Sequence, residues 1–509
     1  MGASPLEFLA PPKPRAGEET SVKGPERQAA TTPSTGGTVL IDFVASLCHN
    51  HRVTTGPAKN LRNSPRNDPR SWAVEILVRI EDQGAFLSHE LTAALTESRL
   101  DEHQRNLLQK LVKGVVENRS YLDAVLAPYL VKGIDSLPRK VREVLRLGAY
   151  QILFLDRIHA GTAVNAAVEM AKAVSGQKLG NVVNAVLRRL LREGAPPPQP
   201  EADPIKRIAR DLSHPEWLVA HWMTQLGESE TAELCRWNNS PWPLFIRVNT
   251  LRIGAAACQR VLEAEGLVIS PGRFSDDILI VERFPAGRKL DTLESFRQGL
   301  FVVHDESSAT IARLLAPRAG EIVLDVCAAP GGKTGQIAAL MGNAGRILAF
   351  DRSALRLKLV DEMCQRLGIT IVETRVGSGE VLDAGVEADR VLVDAPCSGL
   401  GVVGRRPDIR WHRKPEKLSE FHLLQLAILT GAAKNVRSGG RLVYSTCTTA
   451  REENEATVAA FLEGHSHFRL VPLPEWVPAS VRTPEGFLRT WPHRHRMGGA
   501  FGALMERCE

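Results

Sequence analysis

The chain has 509 residues, of which 43% are apolar and 24% are charged. This length and composition suit about three domains with ordinary apolar cores, which excludes collagen-like and wholly disordered proteins. The 64 basic and 58 acidic side chains leave a net charge of +6, which permits a polyanionic partner but is weak support for one.

The 8 cysteines are scattered without a CxxC pair or a neighbouring histidine cluster. This spacing predicts no metal site and is typical of a protein in the reducing cytoplasm. The most apolar window, residues 144–155, contains Arg146 and is too short to span a bilayer. The first residues lack a continuous apolar core, so no secretory signal is expected. We therefore predict a cytoplasmic protein that does not cross a membrane.

Residues 1–67 are rich in Pro and Gly and lack sustained periodicity. They are predicted to form a mostly disordered extension, although a start codon placed upstream of the true one explains them equally well. From residue 71 onward, apolar residues recur at helical spacing, as in Ala73, Ile76 and Ile80. No strand alternation intervenes before residue 193, so an all-helical domain is predicted over 70–194.

Two further segments follow the helical domain. Residues 195–204 contain a run of prolines and are predicted to form a stiff linker. Residues 205–304 mix predicted helices and strands, which favours a small α+β module. The helices are expected at 205–210, 215–225 and 255–265, and the strands at 245–248 and 278–281.

From residue 321 strands and helices alternate, which predicts an α/β domain over 305–509 with a doubly wound, Rossmann-like parallel sheet. The strands are expected at 322–325, 346–350, 390–394 and 441–446, and the helices at 334–341, 354–367 and 418–436. In such a sheet, ligands bind at the carboxyl ends of the strands.

The first of these strands leads into the glycine-rich turn Asp325-Val-Cys-Ala-Ala-Pro-Gly-Gly-Lys-Thr334. A turn of this kind lets the backbone approach a nucleotide-like ligand at a helix N-terminus. Its last residues resemble the end of a P-loop, but a P-loop needs glycine where this chain has Cys327. S-adenosylmethionine is favoured instead, because Asp351 ends the second strand, where an acid for the ribose hydroxyls is expected.

Two cysteines follow later strands of the same sheet. Cys397 lies in Asp394-Ala-Pro-Cys-Ser-Gly399, and Cys447 lies in Ser445-Thr-Cys-Thr448. Paired thiols beside a methyl donor indicate methylation of pyrimidine carbon 5, because thiolate addition at carbon 6 makes carbon 5 nucleophilic. Asp394 is a candidate for stabilising the ring as the adduct forms.

The segment after Cys397 is basic. Residues 400–417 contain six basic and two acidic side chains, a net of +4, with Trp411 among them. Basic side chains pair with phosphates and an aromatic ring can stack on an unpaired base, so this loop is predicted to contact RNA. Residues 60–195 carry 20 basic and 15 acidic side chains, a net of +5 that fits a solvated surface and an RNA-contacting face equally well.

Together these motifs resemble the Sun/Nop2 family of RNA cytosine-5 methyltransferases, and residues 71–193 resemble the NusB-like RNA-binding fold. The other motifs that carry the resemblance are Arg406-Pro-Asp-Ile-Arg-Trp and Glu452-Glu-Asn454. The resemblance implies a 16S rRNA cytosine-5 methyltransferase, most simply a monomer, in which Cys447 is the nucleophile, Cys397 acts in product release and Asp394 is a further site acid. It implies cofactor contacts from Cys327, Ala328, Ala329, Pro330, Gly331, Gly332, Lys333, Asp351, Ser378 and Asp394.

The chain departs from the family pattern in two places. The family usually has Gly-Asp near the end of the third strand, where this chain reads Gly377-Ser378, so the contact to adenine lacks its charge. The family's C-terminal Asp-Gly-Phe-Phe is altered to Gly498-Gly-Ala-Phe501. Two alternatives stay open: methylation of tRNA or large-subunit rRNA, and a non-catalytic RNA-binding assembly factor.

Overall fold

The computed structural model describes residues 68–285 and 288–508. The predicted extension over residues 1–67 lies outside the described residues. The described chain forms two compact units, residues 68–223 and residues 224–508. In the described part of the chain, no helix is both long enough and apolar enough to cross a membrane.

The first unit consists of helices, as the periodicity predicted. Its helices are α1 (Pro69–Gln83), α2 (Leu87–Glu97), α3 (Glu102–Glu117), α4 (Arg119–Leu126), α5 (Arg139–Phe154), α6 (Ala160–Glu193), α7 (Pro204–Asp211) and the first part of α8 (Glu216–Asn238). Asp68 and Asp101 cap α1 and α3 by accepting backbone N–H groups. The left-handed backbone of Gly176 (φ 81°) interrupts α6, and no helix or strand is formed between Glu193 and Pro204.

The second unit begins with the rest of α8 and a four-stranded antiparallel sheet. The strands are β1 (Leu244–Val248), β2 (Val268–Pro271), β3 (Ile278–Arg283) and β4 (Phe301–Val303), in the order β2-β3-β1-β4. Helix α9 (Ala255–Ala264) connects β1 to β2, and the short α10 (Glu294–Arg297) precedes β4. The predicted strands are β1 and β3; β2 and β4 were missed because they are only four and three residues long.

A second, larger sheet of the unit positions the candidate site. Its strands are β5 (Ile322–Asp325), β6 (Arg346–Asp351), β7 (Val372–Val376), β8 (Ala388–Asp394), β9 (Val436–Thr446), β10 (Phe468–Leu470), β11 (Leu488–Arg489) and β12 (Phe501–Arg507). The order is β10-β12-β9-β8-β5-β6-β7, with β11 paired to β12. Helices around this sheet are α11 (Glu306–Leu314), α12 (Gly332–Leu340), α13 (Ala354–Leu367), α14 (Ile409–His412), α15 (Glu416–Ala433), α16 (Glu455–Gly464) and α17 (Pro492–His495).

The structure corrects two details of the predicted α/β domain. Only β7, β6, β5, β8 and β9 are parallel; β12 pairs antiparallel with β9, so the sheet is mixed. The predicted helix 418–436 ends at Ala433, and Val436 already belongs to β9, where it pairs with Ala388. The apolar run continues from the buried face of this helix into a buried strand, so hydrophobicity alone does not mark the boundary.

Candidate active site

The predicted site residues meet at one edge of the large sheet. Asp325, Asp351 and Asp394 are the last residues of β5, β6 and β8, and Cys447 directly follows β9. These strands are parallel neighbours, so their carboxyl ends lie side by side. Sequence spacing alone placed them at strand ends; the sheet order brings them together.

Two side chains at the end of the glycine-rich turn attach it to the carboxyl ends of the strands. The Thr334 hydroxyl donates to Asp325 Oδ2 over 2.7 Å, and Lys333 Nζ donates to Asp394 Oδ2 over 2.7 Å. Gly331 has φ 106°, and a Cβ there would come within 2.8 Å of Met363 Cε. The positive φ favours glycine at this position, whereas the Met363 methyl group, the end of a flexible side chain of α13, could shift to make room for a Cβ.

Asp325 is buried beneath the turn. Burial raises its pKa to about 7, and the nearby carboxylates of Asp394 and Asp351 add to this, against the Thr334 hydrogen bond and the Lys333 charge. Its Oδ1 atom is buried and has no hydrogen-bond partner among the described residues. A buried acceptor without a partner beside a glycine turn fits a ligand that brings its own donor.

Asp351 is held in place by its neighbours. Its two oxygens accept from the backbone N–H of Ser353 and from Arg356 Nη1, each over 3.0 Å. Arg356 also donates to the carbonyl of Ala329, so the acid at the end of β6 is linked to the glycine-rich turn. The position suits the predicted ribose contact, which stays a prediction.

Ser378 follows β7 and lies beside Asp351 through the hydrogen bond from Gly377 N to Asp351 O (3.1 Å). The Ser378 hydroxyl donates to the carboxylate of Glu380. Glu380 therefore brings a negative charge to the place where the family usually has an aspartate. Sequence reasoning missed Glu380, although it lies only two positions beyond Ser378.

The two thiols are in direct contact. Cys397 Sγ and Cys447 Sγ are 3.2 Å apart, although they are 50 residues apart in sequence. Cys397 is buried (8% exposed), whereas Cys447 is exposed. One thiol therefore lies at the surface of the site and the other directly beneath it.

Their contact separates their acidities. The hydrogen bond from Cys397 lowers the pKa of Cys447, and the positive charges of Lys333 and Arg406 act in the same direction. The same hydrogen bond, followed by burial and the negative charges of Cys447 and Glu453, raises the pKa of Cys397 well above its ordinary value. A lowered pKa favours the thiolate of Cys447, and the thiolate is the reactive form of a cysteine.

Comparisons with known proteins agree with this geometry. Residues 312–506 match the family model of the 16S rRNA methyltransferase RsmB/F, residues 67–192 match the NusB family, and residues 214–286 match the RsmF/B-like ferredoxin-like domain. The chain is 36% identical over 450 residues to the probable ribosomal RNA small subunit methyltransferase B of Bacillus subtilis. This alignment covers 86% of this chain and 98% of the relative. The chain belongs to the small-subunit ribosomal RNA methyltransferase B family.

Further relatives support the assignment to methyltransferase B. The Vibrio cholerae ribosomal RNA small subunit methyltransferase B is 34% identical over 407 residues, covering 79% of this chain and 91% of the relative. The crystal structure of PH0851 superposes with a TM-score of 0.72 at 30% identity, over 86% of this chain and 99% of that one. The structure of NSun6 from Pyrococcus horikoshii with SFG gives 0.53 at 25% identity, over 58% and 98%. The chain is thus an S-adenosylmethionine-dependent ribosomal RNA methyltransferase, as predicted.

In the structure, three arginines of the basic loop after Cys397 are engaged with other residues of the protein. Arg405 pairs with Asp305 over 2.6 Å, and Arg410 is buried and donates to Asn239 over 2.7 Å. Arg413 donates to Ser398 O over 2.8 Å. These three arginines stabilise the loop from inside, so the predicted RNA-facing charge of the loop is smaller than its composition suggests.

The altered C-terminal segment, residues 498–501, is connected to the loop that contains Cys447 through backbone hydrogen bonds. Gly401 N donates to Cys447 O over 3.0 Å, and Gly499 N donates to Gly401 O over 2.8 Å. Gly498 N donates to Asp305 Oδ1 over 3.1 Å. These contacts use only main-chain atoms of the segment, so the change at Gly498 leaves the thiols in place.

One buried pair beside the cofactor turn was missed by sequence reasoning. Arg247 lies on β1 of the small sheet, and its Nε donates to His304 Nδ1 over 3.2 Å. Both side chains are buried next to Gly332, whose carbonyl is 3.5 Å from Arg247 Nη2. Burial lowers the pKa of His304 well below its ordinary value, and the charges of Arg247 and Lys333 add to this. Nothing in the pattern of β1 distinguishes Arg247 from a solvent-facing strand residue.

Proposed function

We propose that this methyltransferase transfers a methyl group to carbon 5 of a cytosine in 16S rRNA through a covalent cysteine–cytosine adduct. The observation that carries the proposal is the pair of thiols 3.2 Å apart at the sheet edge that also holds the cofactor turn. A methyltransferase acting on an exocyclic amine or a ribose hydroxyl needs no thiol nucleophile, whereas carbon 5 of cytosine needs one.

In this mechanism Cys447 is the nucleophile and bonds to carbon 6 of the cytosine. S-adenosylmethionine supplies the methyl group that carbon 5 then accepts. A base removes the carbon 5 proton, the carbon 5–carbon 6 double bond re-forms, and the electrons of the carbon–sulfur bond return to Cys447. We assign Cys397 to this release step, because its sulfur lies 3.2 Å from the Cys447 sulfur, whose bond to the cytosine has to break.

Asp394 and Lys333 are proposed to connect the cytosine to the cofactor turn. Asp394 Oδ1 accepts from the Ser445 hydroxyl over 2.8 Å, and its Oδ2 accepts from Lys333 over 2.7 Å. A carboxylate fixed at both oxygens is preorganised, so it can stabilise charge on the ring without reorganisation. We propose that the turn residues 327–333, together with Asp351 and Ser378, hold the cofactor.

The target cytosine has to leave its stack to reach Cys447, because the thiolate and the methyl donor approach carbon 6 and carbon 5 from the faces of the ring, which stacking covers. We therefore propose a single-stranded or locally opened rRNA site, held in part by the NusB-like helices. We also propose that the enzyme is a monomer and that it acts in the cytoplasm, a reducing compartment that suits the seven free cysteines among the described residues.

Alanine substitution of each thiol tests the proposal. Cys397→Ala is expected to accumulate an RNA–protein adduct that survives a denaturing gel, because release is blocked after the methyl transfer. Cys447→Ala is expected to form no adduct and no 5-methylcytosine. An adduct in Cys447→Ala would overturn the assignment of the nucleophile.

Bisulfite sequencing of 16S rRNA, 23S rRNA and tRNA from a deletion strain tests the substrate. Loss of one 5-methylcytosine from 16S rRNA is expected, with the signal restored by the intact gene and not by the Cys447→Ala gene. Loss from tRNA or 23S rRNA alone would contradict the proposed substrate. An unchanged pattern in all three RNAs would favour a non-catalytic assembly factor.

A further inference from the structure

Two adjacent side chains behind the thiols have no role in the mechanism described so far. Glu453 and Asn454 follow the Cys447 loop, and both are fully buried. Burying a carboxylate and an amide is costly unless each polar atom finds a partner. The partners they find are residues that flank the two cysteines.

Glu453 holds the Cys397 loop. Its Oε2 accepts from Ser398 N over 2.8 Å, and its Oε1 accepts from the Ser398 hydroxyl. Gln425 Nε2 donates to the same Oε2 over 2.8 Å and to Pro396 O over 3.0 Å. The residues immediately before and after Cys397 are therefore both attached to the Glu453–Gln425 pair.

Asn454 holds the Cys447 loop in the same manner. Its Oδ1 accepts from the Thr446 hydroxyl over 2.6 Å, and its Nδ2 donates to Thr448 O over 3.0 Å. The residues immediately before and after Cys447 are thus bound by one side chain. Two residues that are neighbours in the chain, Glu453 and Asn454, therefore each hold one of the two cysteine loops.

Two further bonds make the arrangement rigid. The hydroxyls of Ser398 and Thr448 are 2.7 Å apart, which connects the two loops directly. The Tyr444 hydroxyl donates to Glu453 O over 2.6 Å, which attaches the Glu453 backbone to β9. The hydrogen-bond donors to the Glu453 carboxylate, which are Ser398, Gln425 and Thr448, are all uncharged. Hydrogen bonds to neutral groups therefore hold this side chain in place.

We propose that Glu453 and Asn454 are positioning residues with divided tasks: Glu453 sets the Cys397 sulfur for product release, and Asn454 sets the Cys447 sulfur for attack. The inference rests on the proposed function, because it assumes that the two thiols act in different steps of the reaction. A displacement of about 1 Å at a reacting group can cost on the order of a hundredfold in rate, so loss of either attachment should slow one step selectively.

The test measures adduct formation and product release separately in the full-length enzyme. At a pH at which Cys447 is ionised, Glu453→Ala is expected to form the adduct within about threefold of the wild-type rate, but to release product roughly a hundredfold more slowly, so that adduct accumulates. Asn454→Ala is expected to form the adduct roughly a hundredfold more slowly, without accumulation. Both effects are expected in the rate constants at saturating RNA and not in KM.

Conservative variants separate positioning from simple misfolding. Glu453→Gln keeps an oxygen for Ser398 N and Gln425, so release is expected to recover to within about tenfold of wild type. Glu452→Gln makes the same change at the exposed neighbour and is expected to behave as wild type. Thermal unfolding and S-adenosylmethionine binding, measured on every variant, identify any loss of fold.

The outcomes distinguish this inference from the proposed function. Cys397→Ala and Cys447→Ala are assayed in parallel; if they fail to trap and to abolish the adduct, the proposed function is wrong. If both cysteine variants behave as expected but Glu453→Ala and Asn454→Ala slow the same step, the division of tasks is wrong. It is also wrong if Glu453→Gln is folded but releases product as slowly as Glu453→Ala.

Discussion

At the scale of single residues, the site depends on an asymmetry between two chemically identical side chains. Cys397 is buried and Cys447 is exposed, and one hydrogen bond raises the pKa of the first and lowers that of the second. A thiol that donates to a thiolate stabilises the charged form of its acceptor. The sequence supplies two cysteines, and their contact gives them different acidities, which supports the proposal that Cys447 is the nucleophile.

This asymmetry predicts a pH dependence. In the proposed mechanism adduct formation requires the Cys447 thiolate. Its rate constant should therefore rise with pH and level off above a pKa that is lower than the ordinary 9.0. In Cys397→Ala the donor is lost, so the pKa of Cys447 rises and the profile moves to higher pH. Below the pKa, the rate should fall about tenfold for each unit of this shift.

Single-turnover adduct formation, measured from pH 6 to pH 10, checks the shift. Cys364→Ala removes a buried thiol of α13 and serves as the control, with an unshifted profile. A profile of Cys397→Ala that coincides with that of wild type would show that the contact does not tune Cys447.

At the scale of elements, the carboxyl ends of β8 and β9 are held together by main-chain contacts of the loops that follow them. Gly401 bonds to Cys447 O and to Gly499 N, so three loops meet at one glycine. A Cβ at Gly401 would lie 2.3 Å from Gly499 O and 2.8 Å from Cys447 O, both backbone atoms. Such atoms cannot move aside by changing rotamer, so only glycine fits.

Gly401→Ala should therefore separate these loops. We expect a loss of about 1–3 kcal/mol in the free energy of unfolding, the usual cost of overpacking, together with slower adduct formation. Gly464→Ala is a matched control, because a Cβ there meets nothing within 4 Å. Thermal unfolding and gel assays of the adduct check both variants; a Gly401→Ala protein as stable as wild type would contradict the packing argument.

At the scale of the whole molecule, the positions of the charged residues are more informative than the net charge. The net charge of +6 includes exposed basic residues on α6, among them Lys178 and Arg192. They are fourteen residues apart, close to four helical turns, so they lie on similar faces. If this helix contacts RNA, each contributes to the counterions released on binding.

The double variant Lys178→Gln/Arg192→Gln should weaken rRNA binding and reduce its salt dependence. For two lost phosphate contacts, the slope of log K against log salt should fall by about 1.4 in magnitude. The control is Arg346→Gln/Arg437→Gln, which removes two charges near the amino ends of β6 and β9, opposite the thiols. Equal slopes for the two double variants would assign the RNA contact elsewhere.

Much of the architecture was readable from local pattern. The 3.6-residue period predicted the helical unit, and alternation of strands and helices predicted four of the five parallel strands of the large sheet, all except β7. The boundaries of short elements were not readable: β2 and β4 are too short to show a period, and the antiparallel strand β12 follows no crossover helix. Pairing direction depends on distant partners, so a single strand carries no mark of it.

The candidate site divides in the same way. The sequence by itself determined the cofactor turn, the acids at the strand ends and the two cysteines, because each is a short motif whose chemistry depends on residue type and spacing. Only the tertiary structure decided that the thiols touch, that Arg410 is buried, and that Glu453 and Asn454 hold the cysteine loops. These facts depend on which strands are neighbours and on how side chains fill the space between them. Packing settles both, as for the two thiols, which touch although they are 50 residues apart in the chain.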